Sequence, residues 1–167
     1  SITGTWQLLV TNTTSSVGTV EFTIMVETDN SIPDYPPDYG TSYSSTSTTF
    51  TSNSLTFIDL PIVDGGTITD LNIEVDLAHN HTNSEGLRFI TVQLLSPYGN
   101  SVELGHGDQN GGSPYWNSND GNTLYNTVFD DEASTTIYDG TPPFAGDYQP
   151  DGSLSDLHRQ SITGTWQ

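Results

Sequence analysis

Apolar residues fall on alternate positions in several segments of this chain, and any fold it adopts must satisfy that period of two. In ITDLNIEVDL (68–77), Leu71, Ile73, Val75 and Leu77 share one parity. A β-strand points successive side chains to opposite faces, so such a segment buries one face and wets the other. WQLLV (6–10), VEFTIMV (20–26), LTFIDLPIV (55–63), RFITVQLL (88–95), SVELG (101–105) and TLYNTVF (123–129) also read as strands. Turn formers punctuate them at Asp64-Gly65-Gly66, Pro97-Tyr98-Gly99-Asn100, Asp120-Gly121-Asn122 and Asp151-Gly152. Helical signals are nearly absent. Seven or more short strands with such punctuation predict an all-β fold, an antiparallel β-sandwich.

The segment SITGTWQ at Ser1–Gln7 recurs at Ser161–Gln167. A seven-residue repeat containing a Trp reads as one full period plus the start of the next copy. The period is far longer than the roughly 20–50 residues of a solenoid unit, so each copy is a domain with its own core. The pattern breaks at 29–53, where SIPDYPPDYG is Pro- and Tyr-rich and TSYSSTSTTFTSNS is Ser/Thr-rich. This stretch is expected to be a linker, extended at its prolines and suited to O-glycosylation in its Ser/Thr tract. On that division, 1–28 supplies the closing strands of a preceding copy or a neighbouring subunit. Residues 54–167 then form the body of the sandwich and the start of its closing strand.

The formal net charge is −19, from 21 Asp and Glu against only Arg88 and Arg159, with no lysine. Nucleic acid binding rests on Lys and Arg neutralising phosphates, so that partner is excluded. Docking to anionic membranes is equally disfavoured, and no apolar run approaches a membrane span. There is no cysteine, hence no disulfide and no thiolate metal site. So large a charge needs cations, salt or tolerated self-repulsion, and an extracellular setting fits. Asn12-Thr13-Thr14 and Asn80-His81-Thr82 are N-glycosylation sequons.

TDLNIEVDLAH (69–79), LLSPYGNSVEL (94–104), TVFDDEA (127–133), PPFAGDYQPDGSLSD (142–156) and QSITGTWQLLVTN, joined across the repeat junction, together resemble the P-domain. That domain is the jelly-roll-like sandwich that follows the catalytic domain of subtilisin-like proprotein convertases and many bacterial proteases. The resemblance covers nearly everything outside the linker. Family order places the GTW strand near the C-terminus, followed by one more hairpin strand, here VGTVEFTIMV (17–26), so the numbering is permuted. One departure stands out. Bacterial P-domains usually carry Gly-Asp-Leu after the His of the DLAH-like strand, whereas this chain has Gly86-Leu87 without the Asp; either Glu85 substitutes for that carboxylate or the position has lost its role.

Calcium is the leading cofactor expectation. It takes about 6–8 oxygen ligands, and Asp130, Asp131 and Glu132 offer three carboxylates in a row with no lysine to neutralise them. Asp76 and Glu85 lie in the adjacent motif, and the 108–122 loop adds Asp108, Asn110, Asn119 and Asp120. The resemblance points the same way, bacterial P-domains being calcium-dependent modules. The bland reading is a solvated turn whose acids cap backbone amides. His79 and His81 would share a strand face and could reach a zinc-type metal, although a His at the first position is usual in the P-domain motif and favours packing. No nucleophile elbow or other catalytic signature is present, so no enzyme is expected. Tyr115 and Trp116, with Tyr98 and Tyr125, could form a sugar-stacking platform in loops, while Trp6 reads as core. The expected function is a non-catalytic extracellular repeat of a fibre, filament or surface adhesin, with neighbouring copies as partners. The alternatives are a carbohydrate-binding module with glycan partners, or a P-domain accessory to a protease.

Overall fold

The structure, a computed structural model, describes residues 4–29, 40–63, 65–80, 86–107 and 123–160. Its strands are β1 (Gly4–Asn12), β2 (Gly18–Thr28), β3 (Thr41–Ser44), β4 (Thr48–Phe50), β5 (Ser54–Ile62), β6 (Ile68–His79), β7 (Ile90–Leu95), β8 (Ser101–His106), β9 (Thr123–Phe129) and β10 (Gly146–Tyr148). One sheet runs β5-β1-β7-β8; the other runs β10-β9-β6-β2-β3, with β4 also on β2. The fold is the expected all-β sandwich. Pairing is antiparallel throughout these sheets except between β9 and β10, which run parallel.

The alternation places the core. Trp6, Leu8 and Val10 of β1 are fully buried, while Thr5, Gln7, Leu9 and Thr11 between them are partly exposed. From the opposite sheet, Phe22 and Ile24 of β2, Ile73 and Val75 of β6 and Phe129 of β9 join the same apolar cluster. Each such side chain contributes roughly 1.5–3 kcal/mol on leaving water. Trp6 is therefore a core residue, as its strand pattern implied.

Two expectations about chain organisation give way to what the strands do here. Residues 41–50, placed in the linker, form β3 and β4 on β2 instead. The Ser45 amide donates to the Phe22 carbonyl, and the Phe22 amide donates to the Ser45 hydroxyl. Thr and Ser suit an edge strand because only one partner is needed and the outer face can meet water. The Pro- and Tyr-rich part, 30–39, lies outside the described residues. Nor do β1 and β2 belong to a neighbour in this structure: β1 sits between β5 and β7, and β2 sits against β6, all within one chain.

Phe50 shows why small residues flank this edge. Its ring is buried and stacks on His79 with centroids 5.8 Å apart and planes 7° apart. A Cβ on Gly18 would strike that ring and the Ala78 carbonyl. His79 thus packs as a core partner. His81 lies outside the described residues.

Candidate metal centre

The outer face of the β2–β6 pair carries the acids. With Leu71, Ile73, Val75 and Leu77 turned inward, parity turns Asp70, Asn72, Glu74 and Asp76 outward. Register then sets Glu21 opposite Asp76 and Glu27 opposite Asp70. Like charges directly opposed across strands destabilise a sheet, and the chain has no lysine to relieve them. Partial burial and the charges of Asp76 and Glu21 push the Glu74 carboxyl above its ordinary value.

Asp76 is tied to a local irregularity. β9 spends two residues, Tyr125 and Asn126, opposite Asp76 alone, and Asn126 has φ of 47°. Such a bulge leaves an amide out of the ladder. The Asp76 carboxylate takes that amide, with Asn126 N–H donating to Oδ1 at 2.8 Å. The other oxygen remains for the groove that Asp76 lines with Glu21, Ser47 and Tyr125.

The FDDEA turn divides its acids between two tasks. Asp131 is an internal clamp. It accepts the Leu154 amide on Oδ1 at 2.9 Å, and the Ser155 amide at 2.9 Å and the Ser153 hydroxyl at 2.7 Å on Oδ2. Burial alone would raise its carboxyl, but these donors outweigh burial and hold it below the ordinary value. The clamp fastens the 3-10 turn Leu154–Leu157, whose Leu154 and Leu157 are core residues. Asp131 therefore takes the capping role among the two readings of this turn. Asp131→Ala would leave three donors without their acceptor. It should cost about 2–3 kcal/mol in urea denaturation, and a cost under about 0.5 kcal/mol would remove the clamp. A depressed folded pKa means this contribution is present above the ordinary value of 3.8 and is lost as pH falls through the folded value.

Asp130 and Glu132 remain beside β6. Asp130 Oδ1 accepts the Glu132 amide at 2.7 Å. The Glu132 carboxyl is raised by its hydrogen bond with Asp130, by burial, and by the charges of Asp70 and Asp130. Close by on the strand, Asn72 is 5% exposed, and its Nδ2 donates to Asp70 Oδ2 at 3.3 Å. Asn72 Oδ1 is buried with no hydrogen-bond partner among the described residues. An orphaned buried carbonyl costs about 1–3 kcal/mol, and a cation would satisfy it. Asp70, Asp130 and Glu132 lie close enough for the charges of Asp70 and Asp130 to act on Glu132, although the three do not bring one carboxylate oxygen each to within 4.8 Å of one another. Oxygen donors of this kind suit calcium rather than zinc.

Of the residues expected to act together, the structure places Asp130 beside Glu132, with the charge of Asp70 acting on Glu132. Asp76 lies six positions along β6 from Asp70, about 20 Å at the rise of a strand, so it serves a different part of the face. Glu85 and Asp108 lie outside the described residues, as do Asn110, Asn119, Asp120, Tyr115 and Trp116. Tyr98 and Tyr125 are exposed. Asn12 corrects a sequence expectation. It is 1% exposed, its Nδ2 donates to the Ser16 and Thr51 carbonyls, and its Oδ1 accepts the Thr14 amide, so a glycan has no access. Asn80 is exposed, with Oδ1 accepting the Val17 amide.

No protein-family model, curated protein or solved structure matches this chain.

Proposed function

We propose that this chain is a P-domain-like, non-catalytic β-sandwich acting as the repeating unit of an extracellular fibre, filament or surface adhesin, with calcium stabilising its acidic face. One observation carries the reading. The first copy of GTWQ, Gly4–Gln7, is part of a central strand between β5 and β7, with Trp6 fully buried. The second copy has the same sequence, and its position in this sandwich is taken. A segment made to be a core strand then fits the equivalent position of another copy.

Chain geometry supports this. The Ile68 amide donates to the Gln160 carbonyl, and the Arg159 amide donates to the Ile68 carbonyl. Ile68 opens β6 shortly after β5 ends at Ile62, and Ile62 pairs with Gly4. Gln160 therefore stands at the end of the sandwich where β1 begins. Copies joined in this way need no enzyme or adaptor between them. The carbohydrate-binding reading rests chiefly on Tyr115 and Trp116, which lie outside the described residues, while Tyr98 and Tyr125 are exposed.

The mass of native material under fully denaturing conditions tests the proposal. A mass far above 18.1 kDa, with peptides spanning the SITGTWQ junction, establishes a covalent array. A mass near one repeat together with self-association in native buffer establishes a filament subunit. A single-repeat chain that stays monomeric in native buffer at high concentration rejects both.

A further inference from the structure

On the other sheet, Glu103, His106 and Asp151 bring one donor atom each to within 4.8 Å of one another. A β-bulge makes this possible. β8 pairs Gly105 with Val92 and Glu103 with Gln93, leaving Leu104 as the extra residue. The extra residue turns positions i and i+3 to one side. The third member arrives on a loop pinned to the same strand. The Asp151 amide donates to the Leu104 carbonyl at 3.2 Å and the Gly152 amide donates to the Glu103 carbonyl at 2.7 Å.

One imidazole nitrogen is the focus. His106 Nδ1 lies 2.7 Å from Glu103 Oε1, 3.5 Å from Asp151 Oδ2 and 3.2 Å from the Tyr138 hydroxyl. A single proton on Nδ1 serves one of these oxygens well and leaves two carboxylates facing at most one positive charge. A divalent ion serves all of them. Donors bound at about 2.0–2.2 Å around a tetrahedral ion stand about 3.3–3.5 Å apart, so Asp151 is already placed and Glu103 need retreat only slightly. Gln93 Nε2 donates to Glu103 Oε2 at 3.1 Å, the outer support that metal-ligating carboxylates use. Glu103 and His106 are each about a third exposed, which leaves a path for the ion and positions for water.

The geometry points to a zinc-type divalent-metal site formed by His106 Nδ1, Glu103 and Asp151, with Tyr138 beside it. Imidazole with carboxylates favours zinc over calcium. The Tyr138 hydroxyl, 3.2 Å from His106 Nδ1, is a hydrogen-bonding neighbour of the site.

The test is Zn²⁺ titration by calorimetry in excess Ca²⁺, which competes for any oxygen-only position. One equivalent is expected to bind. His106→Gln and Asp151→Asn should each weaken it more than about 100-fold, beyond the 10–100-fold typical of outer-shell partners. Glu132→Gln should leave it unchanged. Melting curves of the variants establish that they fold, and Co²⁺ added to the intact chain should give visible absorption that His106→Gln abolishes. Absence of zinc binding overturns the proposal, as does binding of wild-type strength in either ligand variant or displacement by calcium. None of these outcomes bears on whether the chain assembles.

Discussion

Trp6→Ala should destabilise the chain by about 3–5 kcal/mol, while Trp166→Ala should change its stability by less than about 0.5 kcal/mol. The two residues occupy identical sequence, so only their place in the fold separates them. Trp6 is fully buried in the strand that bridges β5 and β7. Its removal leaves a cavity at the centre of the smaller sheet. Within the described residues it is the first copy that fills the place between β5 and β7. Between copies the position reverses: Trp166→Ala should abolish self-association. Urea denaturation and sedimentation read the two effects separately. A chain that unfolds on losing Trp166 and tolerates losing Trp6 would mean that the second copy fills the central strand.

The sandwich was legible because its core strands are long and regular. β1, β5 and β7 alternate so cleanly that parity alone assigned their faces. β3 and β4 were not legible, since they are too short to show an apolar period, with only Tyr43 and Phe50 turned to the core, and Ser/Thr composition reads equally as linker. The acidic face was half legible. Asp70, Asn72, Glu74 and Asp76 form a visible polar stripe, but only register shows Glu21 facing Asp76 and Glu27 facing Asp70. Nothing in sequence divides Asp131 from its neighbours, because its partners come from residues 153–155. The cluster at His106 is further from reach still. It requires a bulge at Leu104 and a loop almost fifty residues on.

Calcium should raise the melting temperature of this chain, and its removal should expose a pH dependence of unusual sign. A ligand that binds only the folded state stabilises by about 2.7 kcal/mol at a hundredfold excess over Kd. In chelator, the Glu74 and Glu132 carboxyls hold protons more tightly in the folded than in the unfolded chain. Their ionisation therefore opposes folding, and stability should rise as pH falls from neutral toward the ordinary glutamate value of 4.5. Asp131 acts oppositely, so below its ordinary value of 3.8 the gain should turn to loss. Calcium should flatten the upper limb, because the ion does there what the proton does in its absence. Asp70→Asn and Glu132→Gln separate a cation site from mere crowding of acids. Each should stabilise the calcium-free chain by relieving repulsion, and each should shrink the calcium-induced rise. Sodium chloride at matched ionic strength should reproduce only the screening part, which acts over about 8–10 Å at physiological salt. A melting temperature indifferent to chelator, with both variants equally indifferent to calcium, would leave the orphaned Asn72 oxygen without a cation and the acidic face without its proposed role.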